Sequence, residues 1–242
     1  MSDRKVVLVT GASSGIGAAV AARLADQGHH VVAVARRADR LARLADRTRD
    51  AAGTVAAAQA DVTDLAALTS VVARTQDEHG RLDVVVNNAG VMPLSRLDAL
   101  LVDQWNRMID VNVRGLLHGI AAALPIFQEQ GGGHFVTVAS IGAHQVSPSA
   151  AVYCGTKHAA WAITEGLRQE VDPSIRVTTI SPGVVESELA STITDPHAAE
   201  AMRTYRAATI PAAAIAGAVS YALDQPPDVD VNEIVVRPTR QR

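Results

Sequence analysis

The chain has 242 residues, 48% of them hydrophobic, with 22 Lys and Arg against 25 Asp and Glu and a formal net charge of −3. A chain of this length buries a substantial core, and a slightly acidic balance with no dense basic run argues against nucleic-acid or anionic-membrane binding. The single cysteine, Cys154, excludes an intramolecular disulfide and fits a reducing compartment.

The opening stretch, MSDRKVVLVTGASSGIG, meets glycines at once and lacks the longer apolar run and cleavage site of a secretory signal. No stretch reaches the roughly eighteen consecutive apolar residues of a membrane span. These features predict a cytoplasmic protein without a membrane partner.

Seven apolar runs read as strands: 5–10, 30–35, 54–60, 82–87, 134–140, 175–181 and 231–238. Most are continuously apolar rather than alternating, as expected for strands covered on both faces. The Ala-rich run at 54–60 is the weakest of them. Helical patterns separate the strands. Residues 38–51 place Leu41 and Leu44 on one face, and 64–80 starts at acidic Asp64 and ends at Gly80. Residues 103–129 are long enough for an extended helix, which Pro125 is expected to bend or end. A further helix is expected near 152–171, and Pro211 is placed to open the last one. Strands alternating with helices predict an α/β fold: a Rossmann-like, doubly wound parallel sheet of seven strands with helices on both faces. No linker or repeat divides the chain, so 1–242 reads as a single domain. The least regular stretch, 183–210, is a candidate substrate-covering loop.

The first strand runs directly into TGASSGIG (10–17), whose Gly11, Gly15 and Gly17 form G-x-x-x-G-x-G. Glycines in a strand–loop–helix setting permit a tight turn and close approach of a phosphate, and a helix N-terminus offers free N–H donors. That pattern suits a dinucleotide, the alternative being a structural turn. An acidic residue at the end of the second strand would select the ribose 2′-hydroxyl of NAD. Here the sequence is Ala35-Arg36-Arg37, and planar cations suit the 2′-phosphate of NADP(H). Two solvated arginines are the plainer reading.

Tyr153 and Lys157 stand one helical turn apart in AVYCGTKHAAWA. A nearby ammonium favours a phenolate, which would make the tyrosine a usable acid or base, although the spacing alone fits any helix face.

TGASSGIG, Asp61-Val62, NNAG at 87–90, Asn112, Ser140, YCGTK at 153–157 and Pro182-Gly183 occur in the order found in short-chain dehydrogenases/reductases. The chain resembles that family from about residue 5 to residue 238. The resemblance implies a carbonyl–alcohol oxidoreductase with Tyr153 as acid/base, Lys157 lowering its pKa and holding the nicotinamide ribose, Ser140 bonding the substrate oxygen, and Asn112 ordering a proton path to the lysine. It also implies that Ser13, Ser14 and Ile16 of the glycine loop contact the cofactor. Asp61 and Val62 would meet its adenine end, Asn88, Ala89 and Gly90 would lie along it, and Pro182, Gly183, Val185 and Ser187 would meet its nicotinamide half. Ser187 stands where many members carry threonine, so a hydroxyl is kept. Arg36-Arg37 and the ending NEIVVRPT are similar to an NADP-dependent bacterial branch that includes clavulanic acid dehydrogenase and hydroxy-acid or serine dehydrogenases. Family members usually form homodimers or homotetramers, which implies an oligomer built on the helices near 103–129 and 152–171.

Two rivals remain at this level: an epimerase or dehydratase on the same scaffold, and a non-catalytic dinucleotide-binding regulator. Loops after the strand ends nominate Met92, Pro93, His144, Gln145, Val146 and 188–210 as substrate-facing. His144 is expected to line the pocket or lie exposed rather than act as an acid/base. His197, Arg203 and Arg206 are open to an acidic substrate or to solvent. No His/Cys cluster has structural-zinc spacing, so no metal is indicated.

Overall fold

The computed structural model describes residues 4–241. Strands β1 (Val6–Thr10), β2 (His30–Ala35), β3 (Thr54–Gln59), β4 (Val84–Asn87), β5 (Gly133–Val138), β6 (Ile175–Pro182) and β7 (Glu233–Val236) fall on the apolar runs that predict them, β5 starting one residue before its run and β6 ending one residue after. Among the described residues they make one seven-stranded sheet in the order β3-β2-β1-β4-β5-β6-β7, and every neighbouring pair is parallel. The chain starts in the middle, winds outward to β3, then crosses back to β4. This reversal opens a crevice at the carboxyl ends of β1 and β4.

Helices α1 (Gly15–Asp26), α2 (Ala38–Arg47), α3 (Leu65–His79), α4 (Val102–Ile109), α5 (Gly115–Gln130), α6 (Ala151–Glu170), α7 (Pro196–Tyr205) and α8 (Ala212–Leu223) follow. Strand alternation divides the core in two. Val7 and Val9 of β1 pack with Val20 and Leu24 of α1, Leu41 and Leu44 of α2, and Ile215 and Val219 of α8. Val6 and Leu8 point the other way, onto Leu68 and Val72 of α3 and Ala123 and Phe127 of α5. Each fully buried aliphatic or aromatic side chain contributes about 1.5–3 kcal/mol of transfer free energy. Strand β3, the Ala-rich run, survives as a partly exposed edge because all six residues pair with β2.

Three expectations change. Pro125 does not end its helix: α5 continues to Gln130, its face held to the sheet by buried Ala122, Ala123 and Phe127. That packing outweighs the single hydrogen bond a proline removes. Residues Asp110–Arg114 form a π-turn that joins α4 to α5 without a break. The joined run Val102–Gln130 is long and apolar enough to cross a membrane by length and composition. It carries Asp103, Arg107, Asp110 and Arg114, and lays Leu116, Gly119 and Phe127 into the core. Finally, 183–210 is more ordered than its sequence suggests. It contains a 3₁₀ turn at Glu188–Thr192 and helix α7, where Pro196 occupies the first turn and the Asp195 side chain accepts a hydrogen bond from Ala198 N at 2.8 Å.

Candidate active site

A cleft of about 760 Å³ runs across the carboxyl ends of the strands, from the glycine loop at one end to Tyr153 and α7 at the other. Backbone geometry explains the glycines. Gly11 and Gly15 have φ of 67° and 54°, in the left-handed region that disfavours side chains. Gly17 is needed for space, since a Cβ there would stand 2.5 Å from Asn88 Nδ2 and 2.6 Å from Gly11 O. The loop is braced from β4. Asn88 Nδ2 donates to Thr10 O at 2.8 Å, while Thr10 Oγ1 accepts from the backbone N–H groups of Asn88 and Ala89 at 3.0 and 3.1 Å. Gly11, Ser13, Ser14, Gly15 and Ile16 line the cleft. Gly17 lies outside its lining and keeps the loop close to α1. A backbone cradle that a Cβ would fill, opening a helix N-terminus, fits a pyrophosphate.

Beyond β2, Arg36, Arg37, Asp61 and Val62 line the same end of the cleft. The Arg37 guanidinium donates to Ser13 Oγ at 2.8 Å and Ser14 Oγ at 2.8 Å, joining strand end to glycine loop. Arg36 Nη1 stands 3.7 Å from Asp61 Oδ2. Asp61 also accepts from Thr63 N and Oγ1 at 3.0 and 2.9 Å, which fixes its turn. This cation cluster fits a 2′-phosphate better than an acidic residue would.

The chemistry-bearing side chains converge at the other end. Tyr153 and Lys157 lie one turn apart on α6, and Ser140 follows β5; all three line the cleft, and a Cβ on Gly90 would stand 3.7 Å from Lys157 Nζ. Ser140 Oγ accepts from Gly142 N at 3.0 Å, and a Cβ on Gly142 would stand 3.4 Å from both Ser140 Oγ and Tyr153 Cε1, so hydroxyl and phenol ring flank the same spot. Burial pushes the Tyr153 phenol up to about 12, against the opposing pull of Ser140. Burial likewise pushes the Lys157 ammonium down to about 8. Lys157 stands beside the phenol ring. Its Nζ donates to Val138 O at 3.0 Å and stands 5.9 Å from the Tyr153 ring centroid, and desolvation dominates. Asn112 lies in the π-turn, outside the main cleft. Its amide holds both polar groups of Val91, accepting from N at 2.8 Å and donating to O at 3.0 Å, and also donates to Thr156 Oγ1 at 3.1 Å. A small cavity behind the cleft is lined by Asn112, Lys157 and Asn87. Neither polar side-chain atom of Asn87 has a protein partner.

Pro182, Gly183, Val185 and Ser187 line the cleft after β6. Gly183 N donates to Val236 O at 2.7 Å, and the Ser187 hydroxyl caps the following 3₁₀ turn. Of the substrate-facing candidates, Met92 and Gln145 line the cleft, whereas Pro93, His144 and Val146 do not. His144 is exposed, meets Glu233 Oε1 of β7 at 2.7 Å and packs edge-on against Trp161 of α6, so it sits by the edge strand outside the cleft. His197 and Arg203 face away from the cleft lining. Arg206 lines it, but its guanidinium donates to Val185 O and Ser187 O at 3.0 and 3.2 Å, which makes it a brace for the segment. Met202 and Tyr205, within the nominated stretch 188–210, line the substrate end, as do Arg107 and Val111, which sequence reading missed. Only the i, i+4 spacing of Arg107 and Val111 hinted that they share a face.

A family model described as short chain dehydrogenase matches residues 5–198. An uncharacterised oxidoreductase of Staphylococcus saprophyticus is 42% identical over 240 residues, covering 98% of this chain and 97% of its own. Among solved structures, an alcohol dehydrogenase from the archaeon Thermococcus sibiricus complexed with 5-hydroxy-NADP superposes with a TM-score of 0.88 at 29% identity, covering 99% of both chains. A serine dehydrogenase complexed with NADP+ follows at 0.87 and 30% identity, covering 96% of this chain and 94% of its own. A short-chain dehydrogenase/reductase from Burkholderia phymatum in complex with NAD gives 0.88 at 25% identity, covering 96% and 89%. Fold, glycine cradle and sequence relatives agree on an oxidoreductase scaffold for a nicotinamide dinucleotide. The chain belongs to the short-chain dehydrogenase/reductase family.

Proposed function

We propose that this protein is an NADP(H)-dependent oxidoreductase that interconverts a carbonyl, aldehyde or ketone, and an alcohol, with Tyr153 as the acid/base. The observation that carries this reading is the convergence of Tyr153, Ser140 and Lys157 on one cleft whose far end is a phosphate cradle flanked by Arg36 and Arg37. The dinucleotide, when bound, supplies or accepts the hydride.

The side chains supply the rest. A phenol held near 12 is protonated at neutral pH, so Tyr153 stands ready to give a proton to a carbonyl oxygen as negative charge grows there. The Ser140 hydroxyl adds a hydrogen bond to the same oxygen. In the alcohol-to-carbonyl direction the Lys157 charge favours the phenolate that must form. Asn112, by fixing the Val91 backbone, sets the wall opposite α6 and frames the lysine. Arg36 and Arg37 would hold the 2′-phosphate, Asp61 and Val62 would bound the adenine, and Asn88, Ala89, Gly90, Val185 and Ser187, which line the same cleft, would flank the nicotinamide half. Leu189, Ala198, Met202 and Tyr205 of segment 183–210 close the substrate end, which suits a small carbonyl compound with an apolar body. An epimerase, a dehydratase or a silent regulator gains no support from this arrangement. We place the protein in the cytoplasm, where its free, buried Cys154 stays reduced.

Loss of reduced-nicotinamide absorbance against a panel of aldehydes, ketones and keto acids tests the reading. NADPH-selective consumption supports it; consumption of NADH alone would overturn the cofactor assignment.

A further inference from the structure

Segment 183–210 reaches back across the cleft to the other end of the site. Glu188, just after Ser187, is exposed in sequence terms but engaged in space. Arg37 Nη1 donates to its Oε2 at 3.1 Å, and Arg40 Nη1 donates to its Oε1 and Oε2 at 2.6 and 2.5 Å. These partners lie about 150 residues away along the chain. The backbone beneath is close too, since a Cβ on Gly15 would stand 3.3 Å from the Ser187 Cβ. Ser13, Ser14, Arg37 and Glu188 all line the cleft. One carboxylate, shared between two guanidiniums beside two serine hydroxyls, thus fills the role that phosphate oxygens would fill there.

We propose that Glu188 is a specificity-determining residue: an internal stand-in for the 2′-phosphate, which a phosphorylated cofactor must displace from Arg37 and Arg40 and a 2′-hydroxyl cofactor need not. This rests on the reading of Arg36 and Arg37 as the 2′-phosphate site. Charge sets the direction. A phosphomonoester carries about −1.5 to −2 at neutral pH and three acceptor oxygens, against −1 and two for the carboxylate. The phosphate therefore wins the arginines, but pays for displacing Glu188. With Asp61 and Glu188 set against Arg36, Arg37 and Arg40, the cluster keeps one net positive charge. Neutralising Glu188 doubles it. The hydrogen bonds from Arg40 and Arg37 hold the Glu188 carboxyl below its usual range, so it stays ionised across the working pH.

The test is equilibrium titration of the full chain and of Glu188→Gln with four probes: NADPH, NADH, adenosine 2′,5′-bisphosphate and adenosine 5′-diphosphate. Exposed ion pairs of this kind are worth little each, so the expected gain is about three- to tenfold. NADPH and the bisphosphate tighten by that factor, while NADH and the diphosphate move less than about twofold. Equal weakening of all four probes would overturn the proposal, because Glu188 would then clasp the segment over any bound cofactor. No change in any probe would overturn it as well. The underlying reading is tested separately by comparing NADPH with NADH. If neither the unsubstituted protein nor the variant binds NADPH more tightly than NADH, the 2′-phosphate site itself fails.

Discussion

Tyr153 and Lys157 meet in a site that penalises charge. The lysine, lowered to about 8 by burial, binds its proton less tightly in the folded chain than in the unfolded one, where the usual value is about 10.5. Between those values the unfolded state holds more protons, so stability rises with pH across that window. Lys157→Met is expected to remove this rise, which urea titrations at pH 8 and pH 10 would show as a difference between the proteins that narrows at the higher pH. Activity should move the opposite way, falling above about pH 8 as the ammonium is lost. At this scale the sequence was informative where a motif fixed identity: Tyr153, Lys157, Ser140, Gly11 and Gly15 line the cleft, and Gly17 supports the loop from outside it. It was silent about direction. Nothing in the spelling of His144 shows that its ring turns to Glu233, or that Arg206 spends its guanidinium on two loop carbonyls.

Among the elements, the glycine loop is set by contact distance. Gly17→Ala forces a Cβ against the Gly11 carbonyl and the Asn88 amide, two groups that are themselves fixed by hydrogen bonds. The expected cost is about 1–3 kcal/mol in thermal or urea unfolding, with dinucleotide binding lost in the same protein. A variant of full stability that still bound NADPH would contradict the close approach. Strand β5 holds a second buried titrating group. Desolvation, helped by Arg176 and Lys5, pushes His134 down to about 3, while its Nε2 pairs with Thr178 Oγ1 at 2.8 Å. The unfolded chain takes up a proton near pH 6.5 that the native one refuses, so stability falls as pH drops from about 6.5 towards 3. His134→Gln should flatten that acid limb. The strands were legible as apolar runs, but the π-turn at 110–114 was not, because it depends on how Asn112 locks onto Val91 rather than on any local periodicity. Helix α7 was legible after the fact in Asp195-Pro196, a cap followed by a first-turn proline.

Across the whole molecule, the sheet order places the cofactor end of the cleft over β1 and β2 and the substrate end over β5, β6 and α7. Alternating strands and helices made this architecture readable from the chain. The outer faces were less so. Leu97, Leu100, Val102, Ile109 and Leu117 remain exposed along the stretch that leads into and follows α4, with Leu100 at 70%. We propose that copies of the chain cover this face as a homodimer or homotetramer. Light scattering behind a sizing column should give a mass of two or four chains, each of 25.3 kDa, and a monomer at micromolar concentration would contradict it. The reaction itself is tested most directly by Tyr153→Phe, which removes one oxygen from a buried ring. With NADPH and a turned-over carbonyl, the folded variant is expected to retain NADPH binding and lose turnover by about a hundredfold or more. Turnover near that of the unsubstituted protein, in a variant with an unchanged circular dichroism spectrum, would remove Tyr153 from the chemistry.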